Sequence, residues 1–181
     1  DGLDGLAAGV SSIAAFILIV LSLYVIVNQP QTATLAAIVM GASLGFLYHN
    51  WHPAKIFMGD SGSHLLGFML AIMAIISGGK LATAVLVLGL PILDVAWAVI
   101  RRLKQGKMPW AADKEHLHHQ LLSLGLGQRG TVLLFYLFAV GFGSVALLSR
   151  TWAKLIALVV VIVVMVLIVR VAAYLRQKYK S

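Results

Sequence analysis

The chain has 181 residues, of which 61% are hydrophobic and only 11% charged, with a mean hydropathy of +0.97; this excludes a water-soluble globular domain and implies an integral membrane protein. Cysteine is absent, which excludes disulfides, thiolate metal sites and thiol nucleophiles. The formal net charge of +8 lies beside apolar stretches, so it points to lipid headgroups or a phosphorylated substrate and away from nucleic acid.

A helix needs about 20 apolar residues to cross ~30 Å of hydrocarbon. In chain order such stretches run approximately from Leu6 to Val27, Thr32 to Tyr48, Ser61 to Ser77, Leu81 to Ile100, Val132 to Leu148 and Ala153 to Ala173. Strand-like alternation is absent, and backbone polar groups in lipid must be satisfied within a helix or closed barrel. The expected fold is therefore all-α: a polytopic transmembrane helix bundle of six spans, forming one domain over residues 1–181 with loops at 49–60 and 101–130. The first residue is Asp1, with neither initiator methionine nor signal peptide before it, and the chain reads as the C-terminal portion of a longer protein.

Charge orients the bundle. Lys55, Arg101, Arg102, Lys104, Lys107, Lys114, Arg129, Arg176, Lys178 and Lys180 fall on one side, against Lys80, Arg150 and Lys154 on the other. The first side is thus expected to be cytoplasmic. The acids and histidines gather there too, apart from His64, one turn into the third span, and Asp94, ~9 Å below the end of the fourth.

Charged groups this scarce in a membrane chain usually have a partner or a task. Asp1 and Asp4 are three apart and project from one face if the first turn is helical; helix capping is the simpler alternative. Gly5 with Gly9, and Gly41 with Gly45, have the spacing of close helix packing. His49 and His52 flank Trp51, a pattern of interfacial anchoring. Around Asp60, the residues Ser61, Gly62 and Ser63 open a helix whose free N–H groups and hydroxyls suit an anion, with the carboxylate placed to hold a divalent ion; N-capping is again the alternative. Asp94 follows Pro91 inside a span, where it either lines a polar cavity or pairs with Arg101 or Arg102. Asp113, Glu115, His116, His118 and His119 make the densest cluster, suited to a diphosphate or a transition metal.

Taken together, Asp-Gly-Leu-Asp-Gly-Leu at 1–6, His-Pro-Ala-Lys-Ile-Phe-Met-Gly-Asp-Ser-Gly-Ser at 52–63, Pro-Ile-Leu-Asp at 91–94 and His-Leu-His-His at 116–119 resemble the polyprenyl-phosphate N-acetylhexosamine-1-phosphate transferases of glycosyltransferase family 4. The basic run 101–107 is more similar to the branch that transfers N-acetylglucosamine 1-phosphate for teichoic acid linkage units or O antigen than to the muramyl-pentapeptide branch. The resemblance implies transfer of sugar 1-phosphate from a UDP-N-acetylhexosamine to undecaprenyl phosphate, with release of UMP, on the cytoplasmic side of a bacterial plasma membrane. Magnesium is the implied cofactor, with manganese as the alternative ion, and membrane lipids and a homodimer are compatible partners. The resemblance makes Asp60 the metal-binding aspartate, and Asp1 and Asp4 an acidic motif acting in catalysis or nucleotide binding. It places His116, His118 and His119 on the diphosphate. From charge alone, Lys104, Lys107 and Arg129 form a basic rim. The family's paired-aspartate loop lies upstream of Asp1, so the segment alone is expected to be inactive. The competing readings are a different donor, including the muramyl pentapeptide; a proton-, metal- or haem-handling membrane protein using Asp94 and His64; and an inert structural fragment.

Overall fold

The computed structural model describes residues 2–24, 28–76, 81–106, 108, 117, 121–122 and 125–148, and in the last stretch 156, 159–160, 162–164 and 166–167. Among the described residues six helices have defined bounds: α1 (Leu6–Leu23), α2 (Pro30–Asn50), α3 (Gly59–Ile76), α4 (Leu81–Val87), α5 (Gly89–Lys104) and α6 (Gln128–Leu148). No strand occurs among the described residues, in keeping with the all-α expectation.

Four of these helices, α1, α2, α3 and α6, are long and apolar enough to cross a membrane. The expected fourth span instead divides into α4 and α5. Pro91 supplies the reason, because its ring lacks an N–H and crowds the carbonyl four residues back, which breaks a helix interior but is tolerated in a first turn. The chain nevertheless keeps its path through the junction: Leu88 N–H bonds to the Ala84 carbonyl and Ile92 N–H to the Leu88 carbonyl, each at 2.9 Å. The expected sixth span lies largely outside the described residues, although those described within it are helical.

The centre of the bundle is α1. Of its apolar span 67% is buried, against 22% for α2, 17% for α3 and 33% for α6, and it packs against α2, α3, α4 and α6. Its side chains Val10, Ala14, Ile17, Leu18 and Leu21 meet Ala36, Leu70, Val87, Phe135 and Ala139 in one core, joined by Leu117 and Leu121 from the segment between α5 and α6. The outward faces of α2, α3 and α6 carry exposed large apolar groups such as Ile38, Phe68 and Leu137, as surfaces facing acyl chains do.

The two glycine pairs behave differently. A Cβ at Gly9 would overlap the Tyr136 ring, so this glycine lets α6 approach α1 closely. Gly41 and Gly45 have no heavy atom within 4 Å of where a Cβ would sit, and among the described residues they pack no helix. The loops also shift at their edges: α2 runs to Asn50 and α3 starts at Gly59, leaving 51–58 between them, while α5 extends to Lys104 and α6 begins at Gln128.

Candidate functional site

Because α1, α2, α3 and the continuous α4–α5 pair alternate direction, the start of α1, the end of α2, the start of α3, the end of α5 and the start of α6 share one end of the bundle. Long-range polar bonds tie these pieces together. Gly5, with a φ of +80° that favours glycine, caps α1 with no side-chain cap bond. Its N–H donates to Asn50 Oδ1 at 2.9 Å, and its carbonyl accepts from the Tyr136 hydroxyl at 2.5 Å. Asn50, only 3% exposed, uses its other group as well, donating from Nδ2 to the Ile56 carbonyl at 2.8 Å. One buried amide therefore joins α1 to the loop that leads to Asp60. Trp51 lies beside Tyr136, with ring centroids 6.3 Å apart.

Asp4 belongs to the same knot. Its Oδ2 lies 2.8 Å from His52 Nδ1 and accepts from Ala54 N–H at 3.2 Å. The His52 hydrogen bond holds the Asp4 carboxyl below its usual range; desolvation opposes this, while Ala54 N–H, the charge of His52 and Gln128 reinforce it. Asp4 is thus neither a cap for α1 nor exposed, and His52 partners an acid where interfacial anchoring was expected. Arg129 at the start of α6 donates from Nε and Nη2 to the His52 carbonyl at 3.1 and 2.9 Å, so part of the expected basic rim engages the loop itself.

Asp60 is placed in the opposite manner. It sits in the first turn of α3, it is exposed, and among the described residues its carboxylate has no hydrogen-bond partner. Its backbone carbonyl accepts from Ser63 Oγ at 3.1 Å and His64 Nδ1 at 2.6 Å. A carbonyl can only accept, so Nδ1 carries the proton in this bond. An open recess of about 370 Å³ lined by Ser63, His64, Gly67 and Phe68 lies directly along α3. The space left by the missing side chain of Gly62 is taken by Met58, so the approach at this turn runs past Ser61 rather than over Gly62.

Magnesium commonly takes one or two protein carboxylates and completes its shell with water and substrate phosphates. Asp60 fits as one such ligand, although the described residues contain no group of three or more His, Cys, Asp or Glu side chains that would hold an ion.

Asp94 lies on the inward face of α5. It is 6% exposed, and Ala98, one turn on, is 1% exposed, whereas Val95, Trp97 and Ile100 face outward. Its Oδ1 accepts from Leu117 N–H at 2.7 Å. Lys104 is exposed at the end of the same helix. Asp1, Lys107, Asp113, Glu115, His116, His118 and His119 lie outside the described residues. Sequence reasoning missed Asn50, Gln128 and Tyr136 altogether; the available signal was a polar side chain in or beside an apolar span, which must find a partner once buried.

The described helices form an apolar bundle with a polar, acid-bearing end. The family model described as glycosyl transferase family 4 matches residues 1–78. A probable undecaprenyl-phosphate N-acetylglucosaminyl 1-phosphate transferase from Bacillus subtilis (strain 168) is 38% identical over 99% of this chain and 52% of its own length. A decaprenyl-phosphate N-acetylglucosaminephosphotransferase from Mycobacterium tuberculosis (strain ATCC 25618 / H37Rv) is 38% identical over 80% of this chain and 42% of its own. A phospho-N-acetylmuramoyl-pentapeptide-transferase from Halalkalibacterium halodurans is 35% identical over 84% and 46%. The chain belongs to glycosyl transferase family 4, among the polyprenyl-phosphate hexosamine-1-phosphate transferases, and spans about half the length of the curated relatives it matches.

Proposed function

We propose that the whole protein transfers N-acetylglucosamine 1-phosphate, or a closely related N-acetylhexosamine 1-phosphate, from a UDP-sugar to undecaprenyl phosphate. In this reaction an oxygen of the lipid phosphate forms a bond to the sugar-bearing phosphorus, the bond from that phosphorus to UMP breaks, and UMP leaves. The reading includes six membrane crossings in this chain and a reaction centre on the cytoplasmic side of a bacterial plasma membrane, the side on which lysine and arginine concentrate.

The observation that carries it is the exposed Asp60 carboxylate at the start of α3, directly after the α2–α3 loop that Asp4, Asn50 and Arg129 bind. Bringing two anionic phosphates together requires their charge to be neutralised. A magnesium ion, when bound, supplies that neutralisation, and Asp60 would hold it. Asp4, Asn50 and Arg129 fix the loop from which Asp60 is presented. Asp1 joins Asp4 as the acidic motif, while His116, His118 and His119 would contact the diphosphate and Lys104 and Lys107 would line its approach. The similarity across nearly the whole chain to the Bacillus subtilis relative supports the N-acetylglucosamine donor over the muramyl pentapeptide.

Purified full-length protein, undecaprenyl phosphate and radiolabelled UDP-N-acetylglucosamine provide the test. The expected result is lipid-extractable label with an equal yield of UMP, dependent on magnesium and competed poorly by UDP-N-acetylmuramyl pentapeptide. Failure to label the lipid under conditions that keep the protein folded would sink the reading; strong competition by the pentapeptide would move the chain to the other branch.

A further inference from the structure

Resting on the proposed phosphotransferase reading, we propose that Asp94 is a positioning residue for the histidine motif at 116–119. Leu117 lies inside that motif, and its N–H belongs to the peptide unit that joins it to His116. The 2.7 Å hydrogen bond to Asp94 Oδ1 therefore holds the backbone from which the motif's histidines branch. Both partners are buried, Asp94 at 6% and Leu117 at 1% exposure, and Leu117 with Leu121 belongs to the bundle core.

The geometry divides the motif's work between its residues. Leu117 and Leu121, both buried, seat the segment in the core. Burying them also takes backbone N–H groups away from water, where a donor left without an acceptor is costly. Mid-helix carbonyls of α5 are engaged in helix bonds, and the Asp94 side chain supplies an acceptor at the depth of Leu117. A carboxylate is suited to this because a charged acceptor makes a shorter and stronger bond than a neutral one. Position is then fixed twice, by the leucine in the core and by the acid on the backbone, leaving the imidazoles for the substrate. This role needs an oxygen acceptor at position 94 and does not require the acid to touch substrate.

The test uses full-length enzyme with Asp94→Asn, Asp94→Ala, His118→Ala and the double variant Asp94→Ala/His118→Ala. Asparagine keeps an oxygen acceptor on the same branch, so Asp94→Asn retains activity within about threefold, whereas Asp94→Ala loses about 10- to 100-fold in kcat/KM. The loss falls on kcat and on KM for the UDP-sugar, and KM for undecaprenyl phosphate is unchanged. In the double-mutant cycle the two losses are strongly non-additive, as expected of groups acting as one unit. Hydrogen exchange at the Leu117 amide, measured without substrate, is slow in the wild type and in Asp94→Asn and fast in Asp94→Ala. The exchange measurement stands even if the transferase reading fails, which separates the two failures. Asp94→Asn losing as much activity as Asp94→Ala would overturn the proposal, because charge rather than the acceptor would then be the requirement. Additive losses, or an unprotected Leu117 amide in the wild type, would overturn it equally. If Asp94→Ala does not fold, the Asp94→Asn activity and wild-type exchange arms still decide.

Discussion

Asp4 and Asp60 are the same residue type near the start of a helix at the same end of the bundle, yet the fold treats them in opposite ways. Asp4 has an 18% exposed side chain and is engaged by its own protein, with His52 Nδ1 and Ala54 N–H both on Oδ2. Asp60 is exposed and engages its neighbours through its backbone carbonyl, leaving the carboxylate outward. The difference separates framework from chemistry. An acid engaged through its carboxylate orders a loop, whereas an acid held in place through its backbone can give its whole charge to an ion.

The sharpest way to break this contrast is Asp60→Asn in the full-length protein. Transfer activity should fall about 1000-fold, equivalent to ~4 kcal/mol of barrier, while thermal stability in detergent shifts by about 0.5 kcal/mol or less, as for other exposed sites. Chelation of divalent ions should abolish wild-type activity, with recovery on adding magnesium. An Asp60→Asn protein that retains most of its activity would erase the distinction. Asn50→Ala should do the reverse. It leaves the Gly5 N–H and the Ile56 carbonyl without their partner and should cost about 2–3 kcal/mol of stability, read as a lowered denaturation midpoint. Activity should then fall only as far as Asp60 is displaced, so a stable but inactive Asn50→Ala would place Asn50 in the chemistry instead.

Much of this architecture was legible in the chain. The apolar runs gave α1, α2, α3 and α6 because a helix that must satisfy its backbone in lipid leaves little alternative, and the scarcity of acids pointed to Asp4, Asp60 and Asp94. What the runs concealed was the break before Gly89, because averaged hydropathy does not register that Pro91 removes a backbone donor. Partnerships were concealed as well. Nothing in the spacing of Asp4 and His52, 48 positions apart, says that they meet; that follows from the antiparallel packing of α1 on α2 and the turn that Asn50 fixes. Likewise, nothing in the spacing of Asp94 and Leu117 says that they meet; that bond depends on Leu117 reaching the core beside α5. Periodicity reports which face is apolar, but the acceptor for a buried donor is chosen by tertiary contact.

A smaller effect tests Asp4 as framework. Its carboxyl titrates below the usual value near 3.8 because His52 bonds to it, with Ala54 and Gln128 acting in the same direction. Folding therefore gains stability from the ionised form at pH values above that usual value, and the gain is lost as pH falls through the lower folded value. Asp4→Asn should be less stable than wild type at neutral pH by about 1 kcal/mol or less, and the gap should close on acidification below about pH 4. Denaturation series from neutral to acid pH would show it; a gap that widens in acid would mean that the carboxyl is not stabilised as an anion.

Arg129 has the smallest expected effect and the most ambiguous position, since a cation at the site's edge serves either class. Its Nε and Nη2 both reach the His52 carbonyl, a fork that a lysine ammonium cannot reproduce. If Arg129 is framework, Arg129→Lys and Arg129→Ala should lose similar stability, about 0.5 kcal/mol, and KM for the UDP-sugar should stay constant in both. If it serves the phosphates as part of a basic rim, Arg129→Lys should keep the wild-type KM, while Arg129→Ala raises it by a factor that shrinks as salt screens the charge. The bonds to His52 favour the first outcome, which would put Arg129 with Asp4 and Asn50 and leave Asp60 as the outward-facing charge that they hold in place.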